Sequence, residues 1–147
     1  FYEILNMYLI NQPIELAAPD RNDEIMQKFI VSLDLHYRTE RNVAFYAAEQ
    51  CLSYSYFSEI IKAKTGVTAL KWIISRVIID SKQMLGFTNI SIKEIADKLN
   101  FPTQTFFGKY FKQYVGISPK EYRKRCKSRK GDVAANKIEL NLYNYLK

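Results

Sequence analysis

An internal repeat constrains the fold of this chain more than any other feature of its sequence. The stretches "AAEQCLSYSYFSEIIKAKTG" (47–66) and "ADKLNFPTQTFFGKYFKQYVG" (96–116) are two copies of one unit, and the second copy has one extra residue at its turn. Equivalent positions lie 49 or 50 residues apart: Ala47 with Ala96, Phe57 with Phe107, Lys62 with Lys112, and Gly66 with Gly116. Each copy predicts a short helix, a turn and a second helix of about twelve residues, which is the layout of a helix-turn-helix.

The turn of each copy carries an unusual residue. Cys51 and Asn100 stand there, and Asn tolerates a left-handed backbone whereas Cys adopts it less favourably. Pro102 removes a backbone donor at the start of the following helix, which is harmless if Pro102 or Thr103 lies at the cap or in the first turn.

Apolar periodicity and cap residues predict helices throughout, and no strand pattern is convincing. The predicted helices cover 1–13, 23–38, 42–52, 54–66, 69–85, 91–99, 103–116 and 118–130, with a proline-containing loop after the first. The predicted caps are Asp23, Ser53, Ser91 in a capping box with Glu94, and Ser118 before Pro119; the predicted stops are Pro13, Gly66, Gly86 and Gly116. Ile25, Phe29, Leu33 and Tyr37 form one apolar face. The fold class is therefore predicted to be all-α, and Trp72 and the tyrosines are expected to pack in the core rather than stack on bases.

Charge is distributed unevenly along the chain. The net charge of +7 divides into −4 for residues 1–40, +11 for residues 41–130 and 0 for residues 131–147. The segment 109–130 holds nine Lys and Arg residues and the single acid Glu121. Such a positive field attracts polyanions, with nucleic acid first and an anionic membrane surface second. The alternative is a surface whose charge serves only solubility.

Three stretches together resemble the DNA-binding domain of AraC-type (AraC/XylS) transcription regulators. They are "FYAAEQCLSYSYFSEIIKAKTG" in the first copy, "SIKEIADKLNFPTQTFFGKYFKQYVGISPKEYR" in the second, and "WIISRVIIDSKQML" between them, which is similar to the connecting helix of that family. The resemblance covers about residues 25–125. It implies a homeodomain-like, all-α architecture in which two helix-turn-helix lobes are joined by one long helix.

The resemblance also implies a function: sequence-specific binding of double-stranded DNA in bacterial transcription regulation. The two recognition helices would enter successive major grooves, roughly 34 Å apart. A connecting helix of about 17 residues spans roughly 25 Å, which is compatible with that spacing. RNA polymerase is a candidate partner, and the expected location is the cytoplasm, in association with the nucleoid.

The base-reading positions of the family map onto Ser55, Ser58 and Glu59 in the first recognition helix, with Phe57 and Ile61 facing inward. Glu59 could accept a hydrogen bond from cytosine N4. The sequence departs from the family here, because many members carry Arg or Gln at these positions.

In the second recognition helix we expect Phe107 and Phe111 to face inward. The predicted base-reading residues face outward and are Thr103, Gln104, Thr105 and Lys109. Gln104 is suited to adenine, and Lys109 to guanine or a phosphate. For each predicted base-reading residue of either helix, the competing interpretation is an exposed polar residue with no base partner.

Phosphate contacts are expected from basic side chains and helix N-termini. The candidates are Ser53, Lys62, Lys112, Lys120, Arg123 and Lys124, with the helix N-termini near Ser53, Ser91 and Ser118. A solvated basic face is the alternative for any one of these lysines.

Other classes of function receive little support from the sequence. The single histidine, His36, has no plausible metal partners, and no Gly-rich phosphate loop appears, so we expect no enzyme, no metal and no cofactor. No apolar run reaches the roughly 18 residues that span a bilayer. Two cysteines, Cys51 and Cys126, form no disulfide framework and fit a reducing compartment.

The domain boundaries are predicted as follows. Residues 1–22 are the remnant of an N-terminal sensor or dimerisation domain that this chain lacks, since the chain begins without Met, and residues 131–147 are a tail of unknown role. The DNA-binding domain is 23–130, with a first unit at about 42–66, a connecting helix at about 69–86, a second unit at about 91–116 and a basic helix at about 118–130. The rival functions are a helical protein–protein adaptor and attachment to an anionic membrane.

Overall fold

A computed structural model of the chain describes residues 2–10 and 20–129. These ranges contain eight helices and no strand, which confirms the all-α prediction. The helices are α1 (Tyr2–Ile10), α2 (Arg21–His36), α3 (Val43–Glu49), α4 (Tyr54–Thr65), α5 (Ala69–Phe87), α6 (Ile92–Lys98), α7 (Gln104–Val115) and α8 (Pro119–Arg129). The predicted stop at Pro13, most of the loop after it and the tail 131–147 lie outside the described residues.

The chain divides into two compact units, an N-terminal unit (Phe1–Arg76) and a C-terminal unit (Val77–Lys147). Each unit contains one copy of the repeat, and α5 contributes residues to both units.

The core of the N-terminal unit is built around the ring of Phe29 on α2. This ring makes edge-to-face contacts with Tyr46, Phe57 and Trp72, at centroid distances of 5.5, 5.3 and 6.5 Å. Four helices therefore each supply one aromatic side chain to a single cluster, and such pairs stabilise a core beyond the area they bury. The predicted apolar face of α2 is confirmed, since Ile25, Phe29, Leu33 and Tyr37 are all buried.

The core of the C-terminal unit uses the second copy in the same way. Phe107 on α7 contacts Phe101 at 5.3 Å and Phe111 at 5.9 Å, and Phe111 contacts Tyr122 of α8 at 5.5 Å. Phe107 and Phe111 are completely buried, as predicted. The inner side of α7 is thus anchored by two buried aromatic side chains about one helical turn apart.

The turns of the two copies have matching backbone geometry. Cys51 and Asn100 have φ of 55° and 54°, which is left-handed, as the sequence suggested. In both turns the next amide donates back to the alanine of the preceding helix: Leu52 N–H to Ala47 at 3.0 Å, and Phe101 N–H to Ala96 at 2.9 Å. The sequence repeat is therefore also a repeat of backbone hydrogen bonds.

We predict that Cys51→Gly raises the free energy of unfolding by about 0.5–1 kcal/mol. A left-handed non-glycine residue is strained by about 1–2 kcal/mol, and part of the relief is offset by the larger entropy of glycine in the unfolded chain. Cys51 is exposed, so no packing is lost. Chemical denaturation would measure the change, with Asn100→Gly as the control that gains less because Asn tolerates this conformation. A loss of stability in Cys51→Gly would contradict the prediction.

Two predicted helix ends are wrong. The N-cap of α2 is Asp20 and not Asp23, because the two carboxylates form a reciprocal capping box: Asp20 accepts from Asp23 N–H at 2.8 Å, and Asp23 accepts from Asp20 N–H at 3.3 Å. Gly86 does not end its helix, since α5 continues to Phe87 and the φ of Gly86 is not positive. A Cβ at Gly86 would lie 3.6 Å from Cys126 Sγ, so this glycine borders α8 instead.

Candidate nucleic-acid interface

The helix α4 presents the first candidate reading surface. Ser53 caps it, as predicted, by accepting from Tyr56 N–H at 3.3 Å, and Gly66 ends it with φ of 71°. Phe57 and Ile61 are buried against the unit, as predicted, while Ser55 and Glu59 are exposed. The outer face therefore offers one hydroxyl and one carboxylate.

Ser58 differs from the outward placement that the sequence predicted. It is half-buried, and its Oγ is covered and has no hydrogen-bond partner within the described residues. The side chain lies at a small cleft of about 200 Å³ where α4 meets Thr68 and Leu70, at the border between the inner and outer faces. In this position its hydroxyl is covered and not on the exposed outer face of α4.

The helix α7 presents the second candidate surface. Thr103 is its N-cap and accepts from Phe106 N–H at 3.1 Å, so Pro102 lies before the cap, where its missing N–H does no harm. Gly116 ends the helix with φ of 89°, as predicted. The predicted readers Thr103, Gln104, Thr105 and Lys109 are all exposed. Thr103 differs from the other three because its oxygen already accepts the capping hydrogen bond.

The two candidate helices share a frame but differ in chemistry. Each has twelve residues and runs from a hydroxyl N-cap to a left-handed glycine. Glu59 and Lys109 occupy equivalent positions 50 residues apart, so an acidic side chain on α4 corresponds to a basic side chain on α7. The outer faces of the two helices therefore carry opposite charge at this position.

Four of the five predicted phosphate-binding cations are exposed: Lys62, Lys112, Lys120 and Lys124. None of these four is paired with an acid within the described ranges, in contrast to Arg125, whose guanidinium lies 2.6 Å from Glu121. Their charge is therefore available to an external anion.

Arg123 differs from the exposed cation that the sequence predicted. It is half-buried, and its Nε donates to the backbone carbonyl of Leu85 at 3.3 Å. One of its terminal nitrogens is buried as well. Arg123 therefore fastens α8 to the end of α5, and its charge is directed into the C-terminal unit.

The three helix N-termini predicted to bind phosphate are not equivalent. At α6 the predicted capping box is confirmed: Ser91 Oγ accepts from Glu94 N–H at 3.0 Å, and Glu94 accepts from Ser91 N–H at 2.6 Å. This Ser91 N–H holds the pKa of Glu94 below its ordinary value of 4.5, so the carboxylate is ionised near neutral pH. A negative charge already occupies this N-terminus and disfavours a phosphate there. At α8, Ser118 accepts from Glu121 N–H at 3.2 Å, which confirms the predicted cap.

Besides Arg125, at least Lys64 and Arg76 of the basic stretch 41–130 are paired with acids in the fold, and the sequence did not indicate these two pairs. Lys64 Nζ lies 2.7 Å from Asp23 and 3.3 Å from Asp20, and its bond to Asp23 raises the pKa of Lys64. Arg76 Nη2 lies 2.9 Å from Asp34, and its guanidinium stacks 4.0 Å from the ring centroid of Tyr37. Their partners are 39 to 44 residues away in the chain, so no local spacing could reveal them.

The described ranges show neither a metal-binding cluster nor a membrane-spanning helix. They contain no group of three or more His, Cys, Asp or Glu side chains that could hold a metal ion. His36 Nε2 lies 3.5 Å from the Glu49 carboxylate. None of the described helices has both the length and the apolar character needed to cross a bilayer.

Known proteins match the region that contains both helices. Residues 46–125, more than half of the chain, match the family model described as "Helix-turn-helix domain". The arabinose operon regulatory protein of Escherichia coli K12 is 31% identical over 93 residues, which are 63% of this chain and 32% of that protein. The corresponding protein of Salmonella typhimurium LT2 is 30% identical over 121 residues, or 82% and 42% of the two chains. This chain thus spans less than half the length of these curated relatives.

The fold also matches solved structures. One is the DNA-binding domain of AdpA, a global transcriptional factor, crystallised in complex with a target DNA. The two chains are 22% identical with a TM-score of 0.64, and the match covers 79% of this chain and 99% of the AdpA domain.

Proposed function

Since this chain belongs to the AraC-type family of helix-turn-helix domains, we propose that it binds double-stranded DNA sequence-specifically and thereby regulates transcription. The family is one of transcription regulators and their DNA-binding domains rather than of enzymes. The proposed DNA-binding domain is residues 23–130, with residues 1–22 and 131–147 outside it.

One observation carries the proposal. Each unit holds a capped helix of twelve residues that buries phenylalanine on its inner side and exposes polar side chains on its outer side. Such a helix is held rigidly from behind and leaves its N-terminal half free, which is how a recognition helix reads base edges in a major groove.

We assign the base readers to the exposed polar side chains of the two helices. In α7 these are Gln104 for adenine, Lys109 for guanine, and Thr103 and Thr105 as weaker hydroxyl contacts. In α4 they are Ser55 and Glu59. Ser58 contributes only if its side chain changes rotamer. The phosphate contacts are assigned to Lys62, Lys112, Lys120 and Lys124, and to the α4 N-terminus at Ser53.

The two recognition helices are proposed to enter successive major grooves. Two findings support this. The chain matches the AdpA domain, whose structure contains DNA. The connecting helix α5 is continuous over 19 residues, about 28 Å at 1.5 Å per residue. A single chain would then contact a non-palindromic site, since its two reading surfaces differ.

The proposal includes two partners other than DNA. Because this chain corresponds to only 32% and 42% of the two arabinose regulators, we propose that a further N-terminal domain carries dimerisation. RNA polymerase is the proposed partner on promoter DNA. The proposed location is the bacterial cytoplasm, in association with the nucleoid.

Selection from a pool of random duplexes tests the proposal. We expect an enriched, non-palindromic motif with two groups of selective positions about 10 base pairs apart, one helical turn of duplex. Gln104→Ala should relax selectivity in only one of the two groups. The helical fold of the protein used for selection is verified by circular dichroism. If the pool bound by this folded protein stays random after repeated selection, sequence-specific recognition is overturned.

A further inference from the structure

Both candidate recognition helices expose an aromatic side chain at the same position. Tyr56 is the third residue of α4 and Phe106 is the third residue of α7, and they are 50 positions apart in the repeat. The exposed fractions of the two residues are 42% and 61%. The core of each unit is formed by the next residue, Phe57 or Phe107, which is fully buried.

The direction of these rings follows from helical geometry. Phe107 and Phe111 mark the inner side of α7, and Lys109 lies on the opposite, exposed side. Phe106 precedes Lys109 by three residues, and residues three apart on a helix are neighbours on its surface. Phe106 therefore borders the proposed reading surface, and Tyr56 borders Glu59 on α4 in the same way.

The chemistry of an exposed phenylalanine limits what it can recognise. Phe106 has no polar atom, so it can make no conventional hydrogen bond to a phosphate or a base. In the major groove, the C5-methyl group of thymine is the apolar group that distinguishes one base-pair edge from another. The first turn of a recognition helix is also the part that approaches the base edges most closely.

We propose that Phe106 and Tyr56 each contact the methyl group of a thymine, so that each half of the DNA site requires a thymine at one position. This inference rests on the proposed function and adds an apolar element to the polar readers. Tyr56 has a hydroxyl that could reach a phosphate instead, and Tyr56→Phe separates the two roles because it removes only that hydroxyl.

The test replaces each thymine of the selected duplex in turn with deoxyuridine, which lacks only the methyl group. With the unaltered chain, we expect one replacement in each half-site to weaken binding about fourfold, the factor for burying one methyl group. Phe106→Ala should bind the thymine and deoxyuridine forms of one half-site equally, while keeping the sensitivity of the other half-site. Tyr56→Phe should keep both sensitivities.

The control is Phe87→Ala, which removes the same side chain from an exposed position at the end of α5, where 81% of the residue is accessible. It should keep both fourfold effects. The inference is overturned if Phe106→Ala retains both deoxyuridine effects, if Tyr56→Phe abolishes one, or if no thymine of a tightly bound duplex is sensitive. Failure of the proposed function looks different, because no duplex would be selected at all.

Discussion

Replacing Phe107 with Ala is expected to lower the free energy of unfolding of the C-terminal unit by about 3–5 kcal/mol. The Phe107 ring is completely buried and contacts Phe101 and Phe111, so its removal leaves a cavity beside these two rings. Because a small unit has a total stability of only about 5–15 kcal/mol, much of its folded population would be lost on warming, and DNA binding with it.

The adjacent residue provides a matched control. Phe106→Ala removes the same side chain from the same helix, but from a position that is 61% exposed, so its effect should stay within about 0.5 kcal/mol. Urea denaturation of both variants followed by circular dichroism measures the difference. If Phe106→Ala and Phe107→Ala lowered the free energy of unfolding equally, Phe106 would have to be packed as closely as Phe107. That result would contradict the exposed face of α7 on which the proposed reading surface depends.

Raising the salt concentration from 50 to 200 mM is expected to weaken binding to random duplex on the order of a hundredfold. Four unpaired lysines are the proposed phosphate contacts, and each neutralised phosphate contributes about −0.9 to the slope of log affinity against log salt. Replacing Lys62, Lys112, Lys120 and Lys124 together with Ala should therefore make the slope less negative by about 3.6. Fluorescence anisotropy with a labelled duplex at several salt concentrations measures it.

Lys28→Ala is the control for charge alone. Lys28 is an exposed lysine of α2, outside both copies of the repeat, and its loss changes the net charge without removing a proposed contact. We expect its slope to match that of the unaltered chain. An equal change of slope per lysine removed in Lys28→Ala and in the fourfold variant would show that only net charge matters.

A protein–protein adaptor would show no salt-dependent DNA binding, and preferential binding to anionic vesicles would favour the membrane alternative.

Local features of this fold were predictable because their partners are close in the sequence. The caps at Ser53, Ser91, Thr103 and Ser118 each bind an amide three residues onward, and the left-handed glycines each donate to a carbonyl four residues back. The capping error at Asp23 shows the limit of this reasoning. Asp20 and Asp23 are both good cap residues, and only the reciprocal hydrogen bonds show which of them is the cap.

Gly86 shows a different limit. A glycine near the end of a predicted helix usually marks its stop, but it also permits another helix to approach closely. In the fold, α5 runs through Gly86 to Phe87, and a Cβ at Gly86 would lie 3.6 Å from Cys126 Sγ, which is an ordinary van der Waals contact. Cys126 is 40 residues further along the chain, so the residues around Gly86 do not reveal this neighbour.

The repeat, the helices, the inward phenylalanines and the strongly positive central region follow from the sequence by itself, because periodicity and capping depend on neighbours within about four residues. Only the tertiary structure decided which cations have partners within the fold. Lys64, Arg76 and Arg123 belong to the same basic stretch as Lys62 and Lys112, yet the fold directs them to Asp23, Asp34 and the Leu85 carbonyl. These partners are 38 to 42 residues distant, and the strength of a charge interaction depends on separation in space rather than along the chain.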